Sequence, residues 1–182
     1  MLDCSKLVFL NIKSENNVAE MESSKKNNKT QYSSKKTDFG VSSMVSRLKT
    51  VGMLKPMDAL KRADPNKWHY GRAFDPKKIE SNYSSFIKIL TSLDVEILWM
   101  TPKNNENADS IFTYDPSFMT QKGAILLSPG KSLRKGEEKI HEEFYKNNNI
   151  PIIGKLSESA IAEGGDMSVS YTHLTLPTKR IV

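Results

Sequence analysis

Residues 109–166 read DSIFTYDPSFMTQKGAILLSPGKSLRKGEEKIHEEFYKNNNIPIIGKLSESAIAEGGD, and this stretch sets the fold class. Ser110-Ile-Phe-Thr-Tyr114 predicts a short strand that Asp115-Pro116 ends. Ser117 to Leu127 predicts a hairpin around Gln121-Lys-Gly123, with Ala124-Ile-Leu-Leu127 as its buried strand. Ser128-Pro-Gly130 is a turn. Leu133, Ile140, Phe144 and Tyr145 then share one face of a helix running to Asn147-Asn-Asn149, and Pro151-Ile-Ile153 predicts the next strand. Strands, a helix and a further strand make an α/β unit.

Upstream, the same logic holds. Val45 to Leu54 reads as a strand ended by Lys55-Pro56. Met57 to Asp75 reads as an irregular segment carrying Pro65, Gly71, Trp68 and Tyr70, either a lid or a surface loop whose aromatics pin it to the core. Asp75 suits an N-cap and Pro76 a first helical turn. Ile79, Tyr83, Phe86, Ile87 and Leu90 give that helix one apolar face, which Leu93-Asp94 closes. Val95-Glu-Ile-Leu-Trp-Met100 is an apolar strand stopped by Thr101-Pro102. Two consecutive units of this kind imply a modular α/β architecture.

Composition bounds the rest. The chain has 182 residues, a net charge of +6 and only 37% hydrophobic residues, which predicts a segment outside the folded core. Residues 1–38, rich in Lys, Ser and Asn, read as a disordered extension, and the folded domain as 39–167. The basic charge sits in that extension without interleaved aromatics, so it argues against nucleic-acid binding. Cys4 is the single cysteine and forms no internal disulfide, and no stretch approaches the ~20 apolar residues of a membrane span. These features point to a cytoplasmic protein with no membrane partner.

Two carboxylates, Asp109 and Asp115, open the central stretch, and Glu163-Gly-Gly-Asp166 closes it. A guanidinium is planar and permanently charged, and a protein holds it with carboxylates in its plane and an aromatic ring on its face. Asp115 and Glu163 could supply the in-plane acceptors and Phe112 the face, while Gly164 and Gly165 permit close backbone approach. Arg134 could grip a ligand carboxylate bidentately. Each has a plain alternative: Asp115-Pro116 as a turn, Arg134 paired with Glu138 along the helix, Gly-Gly-Asp as a loop.

The order of these motifs resembles the guanidino-group-modifying enzymes. The residues that carry it are Ala63-Asp-Pro-Asn-Lys-Trp-His-Tyr-Gly71, Asp109-Ser-Ile-Phe-Thr-Tyr-Asp-Pro116, Arg134-Lys-Gly-Glu-Glu138 and Glu163-Gly-Gly-Asp166. Residues 44–167 are similar to the five-bladed α/β-propeller (pentein) superfamily, and within it to the dimethylarginine dimethylaminohydrolase branch. Arginine deiminases and amidinotransferases are relatives. The resemblance implies a partial propeller of about two blades and a guanidino substrate. It also implies covalent chemistry through a cysteine thiolate and a histidine, with no cofactor or metal, and it allows a homodimer for the full-length enzyme.

On that resemblance Asp115 binds the substrate guanidinium with Phe112 packed on it, and Asp109 and Arg134 hold the amino-acid end. Glu163 is the catalytic carboxylate assisting proton transfers, and Asp166 lies with the substrate-binding residues. Tyr114 stands where some relatives carry an acidic residue. The family's histidine and cysteine lie downstream of Glu-Gly-Gly-Asp, whereas His69, His141, His173 and Cys4 do not match them. Residues 168–182 resemble no family segment and read as a non-native or unstructured tail. The expectation is a hydrolase fragment. Against it stand a deiminase or amidinotransferase relative, a non-catalytic guanidino-binding module, and a basic interaction protein acting through its lysine-rich start.

Overall fold

The computed structural model describes residues 10–14, 39–103, 106–157, 159–170 and 173–175. Two three-stranded mixed sheets carry the fold. In the first, β1 (Leu10–Ser14) runs antiparallel to β2 (Leu48–Leu54), which pairs in parallel with β3 (Glu96–Met100). In the second, β4 (Ser117–Thr120) runs antiparallel to β5 (Gly123–Leu126), which pairs in parallel with β6 (Ile152–Lys155). Each parallel pair is joined through a helix, α3 (Pro76–Ser92) in the first unit and α4 (Glu137–Asn147) in the second. The described residues therefore form two ββαβ units with the same pairing.

β1 corrects the sequence reading. Residues 10–14 were expected inside a disordered extension, yet Leu10, Ile12 and Ser14 alternate inward and are buried. Five residues with period two suffice for an edge strand when a neighbour supplies the ladder, and their polar flanks mask that signal. The rest of the 1–38 extension lies outside the described residues. β2 begins at Leu48 rather than Val45, a residue that is 93% exposed.

The period of β2 divides the core. Val51 and Met53 face α3, where they pack with Ile79, Tyr83 and Leu90. Leu54 faces the other way, into a cluster with Leu10, Met100, Met119, Phe144 and Tyr145 that binds the two units together. Burying each such large side chain stabilises by roughly 1.5–3 kcal/mol. Asp75 caps α3 as expected, accepting from the backbone N–H groups of Lys77 (3.0 Å) and Lys78 (3.4 Å).

Three further segments depart from the sequence reading. Within 57–75 lie two short helices, α1 (Asp58–Lys61) and α2 (Pro65–Trp68), and Trp68 is buried in the α3-side core. The aromatics of this segment thus pin it down. Ala108–Ile111 is a buried 3-10 turn instead of part of a strand. Local bonds satisfy it: Ser110 Oγ donates to the Asn107 carbonyl (2.7 Å) and the Phe112 N–H to the Asp109 carbonyl (2.9 Å). Finally, β7 (Ser168–Ser170) and β8 (His173–Thr175) pair antiparallel, where an unstructured tail was expected. Antiparallel strands close together in sequence can pair through their backbone groups alone.

Candidate functional site

Arg134 is the centre of the site. It ends a 3-10 turn, Ser132–Arg134, directly before α4, and its residue is 5% exposed. Its Nε and Nη2 donate to Glu137 Oε2 at 3.0 and 2.7 Å, and its Nη1 donates to Asp115 Oδ2 at 2.6 Å. Nη2 also reaches the carbonyls of Asp109 and Phe112, both at 3.4 Å. Burial works against the charge, but the bonds to Glu137 and then Asp115 outweigh it and hold the guanidinium firmly protonated. Four of the five guanidinium N–H groups are thereby committed. Asp115 does hold a planar cation here, the chain's own, and shares it with Glu137 rather than with Glu163, whose Oε1 takes the Gly130 N–H. The bidentate grip on a ligand carboxylate expected of Arg134 would require its bonds to rearrange, and its helical partner is Glu137 rather than Glu138, because α4 begins only at 137.

Asp109 is equally engaged. Oδ1 accepts from the Tyr70 hydroxyl, and Oδ2 from Lys131 Nζ at 2.7 Å. Lys131 Nζ also donates to the Trp68 carbonyl (2.8 Å) and lies 4.8 Å from the centre of the Trp68 ring and 5.3 Å from that of Tyr70. Burial, followed by the Asp109 bond, raises the Tyr70 phenol above its ordinary range. These contacts tie α2 to the Asp109 turn. Sequence reasoning missed Lys131 and Glu137, although the Arg134-to-Glu137 spacing was an available signal for the second.

The Glu163-Gly-Gly-Asp166 segment forms a 3-10 turn that sits against the same wall. The Gly164 N–H donates to the Asp115 carbonyl at 3.2 Å, and a Cβ on Gly164 would lie 2.1 Å from the Tyr114 carbonyl oxygen. The backbone can approach so closely only because the residue is glycine. Glu163 Oε1 accepts from the Gly130 N–H (3.1 Å), and Asp166 Oδ2 from the Glu163 N–H (3.0 Å). Asp166 itself is exposed and braces the turn. The half-buried Phe112 ring packs along the α3-side core. The fold thus gathers Asp109, Phe112, Asp115 and Arg134, and docks the turn bearing Glu163 and Asp166 onto them.

A second polar cluster continues along α4. His141 Nδ1 and the Tyr145 hydroxyl both hydrogen-bond Ser117 Oγ, at 2.8 and 2.6 Å, inside the core. Burial, aided by the Arg134 charge, pushes His141 from its ordinary 6.5 down to about 3. The folded state therefore refuses a proton that the unfolded chain accepts below 6.5. Stability is fully present above that pH and is lost as pH falls toward 3, by an amount on the order of several kcal/mol. Urea melts across that window should show the slope in the wild type, and His141→Gln should flatten it. Equal slopes would refute the assignment.

No protein-family profile matches the chain. The dimethylarginine dimethylaminohydrolase of Pseudomonas aeruginosa is 29% identical over 105 residues, covering 58% of this chain and 41% of that protein. An uncharacterised Bacillus subtilis protein, YkgA, is 28% identical over 93 residues, covering 51% of this chain and 32% of the other. Among solved structures, a dimethylarginine dimethylaminohydrolase adduct with S-methyl-L-thiocitrulline superposes with a TM-score of 0.58 at 25% identity, over 70% of this chain and 49% of that one. The chain has a dimethylarginine dimethylaminohydrolase-like fold. A second solved structure, a cysteine-to-serine mutant of dimethylarginine dimethylaminohydrolase from Pseudomonas aeruginosa in complex with citrulline, matches with a TM-score of 0.54 at 26% identity, over 65% of this chain and 46% of that one. The chain spans about half the length of these dimethylarginine dimethylaminohydrolase structures and less than half of the curated relatives. Among the described residues, no helix is long and apolar enough to cross a membrane.

Proposed function

We propose that this chain carries the guanidinium-holding half of a dimethylargininase-like hydrolase, its two ββαβ units corresponding to two blades of the propeller. The observation that carries the reading is the convergence of Asp115 and the Glu163 turn, joined by the Gly164-to-Asp115 backbone bond, in a fold that also holds citrulline in a relative. Asp115 and Glu163 supply in-plane acceptors for the guanidinium and Phe112 its apolar face, with Glu163 placed to assist proton transfers. Asp109 and Arg134 serve the amino-acid end once their present partners yield, and Asp166 holds the Glu163 turn in place.

The hydrolytic step attacks the guanidinium carbon with a thiolate, expels an amine and releases citrulline through water. The described residues supply binding rather than this chemistry. His141 is buried and neutral, His69 caps α2 in a left-handed conformation, and Cys4 lies outside the described residues. Calorimetry on the 182-residue chain tests the reading: L-arginine and L-citrulline should bind saturably without turnover. Asp115→Asn and Glu163→Gln should each weaken binding by about tenfold, on the order of one charge-assisted hydrogen bond. Absence of saturable heat from the wild type would sink it.

A further inference from the structure

The Asp115 carboxylate carries two demands that conflict. It must pair with the buried Arg134, and, on the reading above, it must also accept a ligand guanidinium. An arginine left alone with one carboxylate favours a two-bond grip that occupies both oxygens and cancels the charge. Here it makes one bond, from Nη1 to Oδ2, and the Asp115 side chain retains 22% exposure.

Glu137 is the reason. Its single oxygen Oε2 takes both Nε and Nη2, fixing the side edge of the guanidinium and leaving only Nη1 to face Asp115. One guanidinium is thereby shared between two carboxylates, Asp115 and Glu137. With Glu137 ionised, the two carboxylates outnumber the one guanidinium, and Asp115 is the more exposed of the two. Glu137 is poorly suited to a purely stabilising role. Its side chain is 1% exposed, and its Oε1 is buried with no hydrogen-bond partner. A buried carboxylate with one unsatisfied oxygen is costly, and an apolar residue of similar volume is often as stable or more so.

We propose that Glu137 is a positioning residue that holds Arg134 by its side edge, so that Asp115 presents one oxygen and an uncancelled negative charge to a guanidinium ligand. This rests on the reading of Asp115 as the guanidinium acceptor. Burial holds the Glu137 carboxyl above the ordinary carboxylate range while Arg134 pulls it back down; the other charged groups facing it are Asp109 and Asp115. When Glu137 takes up a proton, its hold on Arg134 weakens and the negative charge is lost. Ligand affinity therefore rises as Glu137 ionises.

The test is L-arginine calorimetry on the full chain with Glu137→Gln, Asp115→Asn and the double variant, each checked by thermal melting. Glutamine keeps an acceptor for Nε and Nη2 and removes only the charge. Glu137→Gln should bind about tenfold more weakly while still melting cooperatively above the binding temperature, and the double variant should bind no worse than Asp115→Asn, because both act through one carboxylate. Wild-type affinity should rise between about pH 5 and 8 and that of Glu137→Gln should stay flat. Wild-type affinity and pH profile in Glu137→Gln, with Asp115→Asn impaired, overturn the inference alone. Indifference to Asp115→Asn, or no binding by the wild type, overturns the acceptor reading and the inference with it. Additive losses in the double variant also overturn it, since they would mean that Glu137 does not act through Asp115.

Discussion

Replacing Arg134 by methionine is expected to lower the unfolding free energy by about 3–5 kcal/mol, the usual result of breaking a buried ion pair from one side. The apolar stem is retained in this variant, so the loss reports the charge rather than the packing. Without the guanidinium, Glu137 at 1% exposure and Asp115 at 22% lose their shared cation, and Glu137 lies too deep for water to replace it. A loss of that size is a large part of the ~5–15 kcal/mol that holds a typical domain folded. The double variant Arg134→Met/Glu137→Leu should recover much of it, because the stranded charge leaves together with its partner. Urea denaturation at neutral pH measures both. A single variant within about 0.5 kcal/mol of the wild type, the scatter of an ordinary surface substitution, would refute the central role given to this guanidinium.

Gly164→Ala is expected to dislodge the Glu163 turn from its wall. The added methyl would lie 2.1 Å from the Tyr114 carbonyl oxygen and 2.8 Å from a ring carbon of the same residue. The ring can swing away, but the carbonyl belongs to the backbone directly before Asp115 and cannot. The turn must therefore move, breaking the 3.2 Å bond from the Gly164 N–H to the Asp115 carbonyl and carrying Glu163 with it. Overpacking of this sort costs about 1–3 kcal/mol, and L-arginine binding should fall more than tenfold. Gly165→Ala is the matched control, since nothing lies within 4 Å of its Cβ position. Thermal melting and calorimetry on the pair separate a steric effect at one glycine from general loosening of the turn. Equal behaviour of the two variants would count against the docked arrangement.

Much of the fold was legible in the chain because it depends on local rules. The apolar face of α3, its Asp75 cap and the β4–β5 hairpin arose where period and turn chemistry predicted them. β1 was not legible, because five alternating residues amid Lys, Ser and Asn look like the rest of a polar segment until β2 pairs with them. The Asp109 turn was misread as a strand, since its apolar character reflects burial rather than pairing.

The sequence by itself determined which chemical groups line this wall: Asp109, Phe112, Asp115, Arg134 and Glu163, in an order that resembles the guanidino-group-modifying enzymes, with Gly164 where a backbone must come close. Only the tertiary structure decided how those groups spend their bonds. Tyr70 and Lys131 take the Asp109 oxygens, and Glu137 and Asp115 divide the guanidinium of Arg134 between them. The physical reason is that hydrogen-bond allegiance in a buried cluster follows distance and desolvation across elements far apart in the chain, and of these partnerships only the three-residue step from Arg134 to Glu137 is written in local spacing.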